Sequence, residues 1–312
     1  MMQPLYWLCE PPHNKGGLIW TVRLHDHAAS GVAKSGDVAN SKFIPEISKL
    51  KSRVLPKIKQ ACGSLFFTTS LEKAKGNVID NGSFAFVHTG KKFLLVTCHH
   101  VWNGFLAARE KNADLKLCAC FDDRYPVAIC STSEGTPTEP IAQDKDLDIA
   151  VFDMEPFLSF CSGDKNFFIP NYGPQSQVNV NDLVAIIGHP GNERFDSEIG
   201  LFFGRKPYCA YVSGISGYKI RVDFTRVMSL DRELTAKQSD EKPATAGVSG
   251  SPCFVVRQDY EPYLIGFVTD HVRYELSEHN YLQMTSATCI NEDGTLKPTS
   301  SFYGNPSRGI RV

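Results

Sequence analysis

Residues 247–256, Gly247-Val248-Ser249-Gly250-Ser251-Pro252-Cys253-Phe254-Val255-Val256, set a serine between two glycines just ahead of a short apolar run. A serine hydroxyl is a poor nucleophile until a base takes its proton, and the tetrahedral intermediate it forms needs donors for its oxyanion. Gly247 lets the backbone turn so that its own amide and that of Ser249 point at one spot, and Gly250 keeps the space above the hydroxyl open. By itself this turn is equally the home of an ordinary loop serine. Its partners along the chain decide between the two. Upstream, Leu94-Leu95-Val96-Thr97-Cys98-His99-His100-Val101-Trp102 runs an apolar strand into a histidine pair, which places an imidazole of near-neutral pKa at a strand end. Between the two, Asp146-Leu147-Asp148-Ile149-Ala150-Val151-Phe152 opens an apolar strand with a carboxylate able to accept Nδ1–H from a histidine. A strand-end histidine and a strand-capping aspartate are each commonplace; the three segments together are not. Cys98-His99-His100 also offers metal-ligand types, but neighbours in a strand face opposite ways and no second cluster at useful spacing completes a site.

Around these segments the texture is that of an all-β protein. From Asn81 onward, short apolar runs alternate with turn signals: 83–87 and 92–97 flank His88-Thr89-Gly90-Lys91 as a hairpin, followed by runs at 115–121, 126–130, 148–153, 183–187, 208–213, 218–225, 252–256 and 263–269. So many short strands with few helical patterns between them predict an antiparallel barrel or sandwich. The first eighty residues read differently. Residues 17–25 form a candidate strand, and 41–61 place Ile44, Ile47, Leu50, Val54, Leu55 and Ile58 near a helical period. Pro45 suits the first turn of that helix and Pro56 should end or kink it. Lys49, Lys51, Arg53, Lys57 and Lys59 give it a solvated basic face.

Composition narrows the class. The chain has 312 residues, 42% hydrophobic and 21% charged, with 33 Lys+Arg against 34 Asp+Glu. A balanced charge removes the global case for nucleic-acid binding, and no stretch approaches a membrane span. The N-terminal residues lack the basic and apolar regions of a signal peptide, so a cytoplasmic location is expected. The ten cysteines are scattered, and Cys118 and Cys120 are too close for a CxxC pair; reduced, buried thiols are expected.

The chain order His100, Asp148, Ser249 is that of trypsin-type triads and differs from the subtilisin and α/β-hydrolase orders. In six segments the chain resembles the chymotrypsin-fold (trypsin-like) serine peptidases of the PA clan, especially bacterial Htr/Deg-type and stand-alone forms. Gly82-Ser83-Phe84-Ala85-Phe86-Val87 is similar to the strand that opens their first barrel, and Thr97-Cys98-His99-His100-Val101 to the T-x-x-H-V box, which makes His100 the base. Asp148-Ile149-Ala150-Val151 resembles the D-[IL]-A-[VL] box, favouring Asp148 over Asp144 and Asp146. Ala185-Ile186-Ile187-Gly188-His189-Pro190-Gly191 is similar to a turn of the second barrel. Gly247 to Pro252 matches G-x-S-G-[GS]-P, and Leu264-Ile265-Gly266-Phe267-Val268 resembles the strand after it. The resemblance implies an all-β core, a chymotrypsin-like double six-stranded β-barrel with an N-terminal α/β extension. Its divisions are 1–80, an extension of unread role; 81–290, the peptidase domain; and 291–312, a polar tail with no room for a PDZ domain.

Under that resemblance His100, Asp148 and Ser249 are catalytic, and the backbone amides of Gly247 and Ser249 form the oxyanion hole. No cofactor or metal is implied. The chain lacks the I-V-G-G-like start of secreted zymogens, and Val101 stands where secreted members carry a disulfide cysteine. Pro243, six residues before Ser249, replaces the aspartate that selects Lys/Arg in trypsin, and Thr269, Asp270 and His271 would line the later wall of the substrate pocket. An uncharged P1 residue of small or medium size is expected. The leading functional expectation is a regulated intracellular serine endopeptidase acting on protein or peptide substrates, with an activating partner reached through residues 1–80 and no membrane or nucleic acid. A catalytically weak binding or scaffold module and an acyl hydrolase are the competing ones.

Overall fold

A computed structural model of the chain describes residues 44–70, 81–121, 126–130, 139–160, 177–191, 194–197, 200–230, 246–273 and 280–298. The candidate strand at 17–25 and Pro243 lie outside these residues. All described elements belong to one compact unit, which lies within Lys42–Val312.

That unit is mostly β. It opens with helical turns α1 (Ile47–Lys49) and α2 (Leu55–Lys59), joined by a wider π-helical turn over Leu50–Val54. The π-helical turn accommodates Pro56, whose ring would otherwise meet the carbonyl of Ser52 and whose missing N–H breaks the regular ladder. Strands β1 (Cys62–Thr68), β2 (Asn81–His88), β3 (Phe93–Thr97), β4 (Lys116–Cys120), β5 (Pro126–Cys130), β6 (Ala142–Asp144) and β7 (Ile149–Asp153) form one antiparallel sheet in the order β5-β4-β1-β2-β3-β7-β6. The predicted hairpin is there, with Gly90 at φ +94° between His88 and Phe93. Strands β8 (Leu183–Gly188), β11 (Lys206–Ser216), β12 (Lys219–Ser229), β13 (Pro252–Val256), β14 (Pro262–Arg273) and β15 (Asn280–Ser286) close into a six-stranded barrel, and β9 (Arg194–Ser197) and β10 (Gly200–Phe203) pair separately.

One six-stranded barrel therefore matches the expected architecture, and the other half differs from it. The first sheet has seven strands, and among the described residues its edge strands β5 and β6 do not pair with each other. The strand at 62–68, which no sequence signal separated from the preceding helix, sits inside this sheet between β2 and β4.

The strands read as unbroken apolar runs because both of their faces are buried. Along β2, Phe84 and Phe86 face one core with Trp102, Phe105 and Phe152, while Ala85 and Val87 face another. Along β8, Val184 and Ile186 fill the barrel interior, while Leu183, Ala185 and Ile187 point out of it into the same middle core as Ala85 and Val87. Leu50, Val54, Leu55 and Ile58 complete that middle layer. The first sheet and the barrel are thus packed face to face, and the polypeptide before β1 is part of the seam.

Candidate active site

The largest local departure from the sequence reading lies at the histidines. Strand β3 ends at Thr97, and α3 (His99–Lys111) starts at once, so His99 and His100 occupy the first turn of a helix. The opposite-face argument for a strand does not apply; in a helix the two side chains diverge by about 100°. His99 Nδ1 meets Asn103 Nδ2 at 3.3 Å, one turn along, while His100 points to Asp148. The helical signal was present, since Val101, Trp102 and Phe105 form its buried stripe. It was hidden by Cys98, an N-cap whose side chain makes no capping bond, and by the apolar strand running into it without a breaker.

Asp148 supplies what that N-cap lacks. Its Oδ1 accepts the backbone N–H of His100 at 2.9 Å, and its Oδ2 lies 2.7 Å from His100 Nδ1. One carboxylate thereby satisfies an orphan donor at a helix N-terminus, where negative charge is favoured, and fixes the imidazole that the same residue carries. With Nδ1 donating, Nε2 is the acceptor tautomer. The His100 side chain is 52% exposed and that of Asp148 21%, so the pair opens to solvent on the imidazole side. Asp148 itself holds φ +56°, at the end of a turn that Asp144 shapes by accepting the N–H groups of Asp146 and Leu147, each at 2.8 Å. The three aspartates have separate jobs: Asp144 caps the turn, Asp146 lies within it, and Asp148 reaches the imidazole.

The serine turn is tied to the histidine segment by two bridges. Val268 O on β14 accepts Gly250 N at 2.8 Å and Cys98 Sγ at 3.1 Å, linking the residue after Ser249 to the residue two before His100. On the other side, Ser83 N donates to Ser249 O at 2.8 Å while Ser83 O accepts Thr97 Oγ1, also at 2.8 Å. Ser249 is partly accessible; Ser251 is fully buried. Gly247 and Gly250 both sit at φ +89°. A Cβ on Gly247 would come within 2.5 Å of Asn81 Nδ2 and 2.6 Å of His189 O, and one on Gly250 would strike the Ser83 carbonyl. No side chain fits at either place.

The carbonyls of this turn are held by donors outside it. Gly191 N donates to Ala246 O at 2.7 Å, Ser83 Oγ to Gly247 O at 2.8 Å, and Ser251 N to Val248 O at 2.9 Å. In a trans peptide the N–H points opposite to the C=O. With Ala246 O and Val248 O so engaged, the N–H groups of Gly247 and Ser249 are turned the other way. Ser83 Oγ also accepts His189 N at 2.9 Å, and Asn81 Nδ2 donates to His189 O at 3.1 Å. Asn81 and Ser83 were not picked out as site residues by sequence reading; their partners lie more than a hundred positions away, beyond any local pattern.

Cys98, His100 and Asp148 have potential ligand atoms within 4.8 Å of one another. Each of these atoms already has a protein partner, Cys98 Sγ with Val268 O and the other two with each other. Burial, and secondarily the Asp148 carboxylate, push the Cys98 thiol well above the usual cysteine range. Cys62, Cys98, Cys118, Cys120, Cys209, Cys253 and Cys289 are buried with free thiols.

Of the expected pocket residues, Thr269 is buried and donates to Gln283 O at 3.3 Å. The Asp270 side chain is exposed, its Oδ1 accepting His271 N at 2.7 Å. His271 turns its ring edge-on to Phe224, with 6.2 Å between centroids. No protein-family model matches the chain, and no curated protein matches it either. Among the described residues no helix is long and apolar enough to cross a membrane.

Proposed function

We propose that this protein is a serine endopeptidase of chymotrypsin-like fold that hydrolyses peptide bonds through an acyl-enzyme. The observation that carries the reading is the shared Val268 carbonyl, which draws the Ser249 turn and the histidine segment together beside a hydrogen-bonded His100–Asp148 pair. In this reading His100 Nε2 takes the proton of Ser249 Oγ as the oxygen attacks the scissile carbonyl. Asp148 holds the imidazole in register and stabilises the imidazolium. The N–H groups of Gly247 and Ser249 receive the oxyanion, and collapse of the intermediate passes the proton from His100 to the leaving amine. Water then repeats the sequence on the ester. Donors of this kind are worth roughly 3–4 kcal/mol each in the transition state. An uncharged P1 residue of small or medium size belongs to this reading, because Pro243 stands six residues before Ser249 where an aspartate would select a basic one.

A serine-directed phosphonate tests this directly. Intact-mass analysis should show one adduct on Ser249 in the native protein and none in Ser249→Ala, with His100→Ala slowing labelling by orders of magnitude. Equal labelling of Ser249→Ala would overturn the assignment, and a peptide library cleaved by the native protein reads P1.

A further inference from the structure

We propose that Lys219 is a positioning residue for the His100–Asp148 pair: from the barrel, its ammonium grips the carbonyl that precedes Asp148 and sets the electrostatic poise of the imidazole. The inference rests on the reading of these two residues as base and orienting carboxylate. Lys219 opens β12 and lies directly opposite Thr285 on β15. Its Nζ donates to Thr285 Oγ1 at 3.0 Å and to Leu147 O at 3.1 Å, and Thr285 Oγ1 donates to the same Leu147 carbonyl at 2.5 Å. Leu147 and Thr285 are buried. The peptide leading into Asp148 is therefore clamped from the barrel side, at a residue whose φ of +56° is uncommon for a side chain other than glycine.

A hydroxyl or amide could hold a carbonyl as well as a lysine does, and without the cost of desolvating a charge. The charge has neighbours that give it a use. The ammonium lies in the field of the Asp148 and Asp144 carboxylates, on the turn before β7. Burial pulls it below the usual lysine range, and those groups pull it back. A cation behind the peptide that leads into Asp148 opposes a second positive charge on His100, so the imidazole stays neutral, and able to accept a proton, to lower pH.

The sign of the effect follows. Removing the cation should raise the pH at which His100 protonates. In the Ser249→Ala protein, which needs no turnover, NMR titration of the His100 ring gives the midpoint. Lys219→Met and Lys219→Gln should each move it up by about half to one pH unit, even though glutamine keeps a donor for Leu147 O, while Lys219→Arg should stay near the parent. With Ser249 present, the acid limb of kcat/KM should move with it, giving roughly three- to tenfold lower values on that limb. Should Lys219→Met not fold, Lys219→Gln decides alone. An unmoved midpoint in a folded neutral variant overturns the proposal. A shifted midpoint in a protein that cleaves no peptide would sustain it while the peptidase reading fell.

Discussion

At the scale of single residues, Cys98 is the informative one. A thiol beside an imidazole is commonly activated as a thiolate, and Cys98 is two positions from His100 with Sγ close to the His–Asp pair. Its surroundings act in the opposite sense. The sulfur is fully buried, its S–H is given to Val268 O, and the charge that acts on it most is the Asp148 carboxylate. Burial and the like charge both disfavour the thiolate, so the group stays a thiol from neutral pH well into the alkaline range. Iodoacetamide at pH 8 should leave Cys98 unmodified in the native protein, as peptide mass mapping would show, and Cys98→Ala should keep its phosphonate reactivity. Fast alkylation at pH 8 accompanied by loss of that reactivity would identify the sulfur as a participant.

At the scale of elements, the entry of β2 acts as a clamp on the serine turn. Ser83 makes four hydrogen bonds: its N to Ser249 O, its Oγ to Gly247 O and from His189 N, and its O from Thr97 Oγ1. Ser83→Ala removes the two Oγ bonds and strands a buried amide and a carbonyl, each costing about 1–3 kcal/mol. The freed Gly247 carbonyl allows its peptide to rotate, so the loss should fall on kcat. A drop of about tenfold with little change in KM is expected on any peptide the protein cleaves; an unchanged kcat would show that the turn holds its shape without Ser83. Elements of this kind explain what could be read from the chain. The runs 183–187 and 252–256 announced themselves because burial on both faces leaves no polar position in them. Strand β15, Asn280–Ser286, alternates buried and half-exposed residues around Leu282 and Met284 and carries a weaker signal. The triad-like spacing was visible because each segment has its own local pattern. Ser83 and Lys219 were not, because what gives them a role is pairing across the fold, with Gly247 and with Leu147.

At the scale of the whole described body, the middle core decides how independent the two halves are. It joins Ala85, Val87, Leu94 and Val96 of the first sheet to Leu183, Ala185, Phe254 and Phe267 on the outside of the barrel, with Leu50, Val54, Leu55 and Ile58 filling the seam. The helical segment is pinned at both ends, Glu46 N to the Tyr260 hydroxyl at 2.9 Å and Lys59 O from Arg205 Nη1 at 2.7 Å. The proposed active site draws on both halves and needs this seam to be rigid, because His100 and Asp148 belong to the sheet side and Ser249 to the barrel side. Ile58 is fully buried there, and Ile58→Ala should cost about 2–5 kcal/mol, a large part of the roughly 5–15 kcal/mol that holds a domain folded. If sheet and barrel form one cooperative unit, that loss appears everywhere at once. Trp102 fluorescence, which reports on the sheet side, should move to lower urea by the same free energy as hydrogen exchange at the β8 and β13 amides of the barrel. Loss of protection confined to the barrel amides, with the Trp102 transition unmoved, would mean that the seam aligns two independently folded halves, and the His100–Ser249 geometry would then rest on the hydrogen-bonded bridges between them, at Val268, Ser83, Asn81 and Lys219.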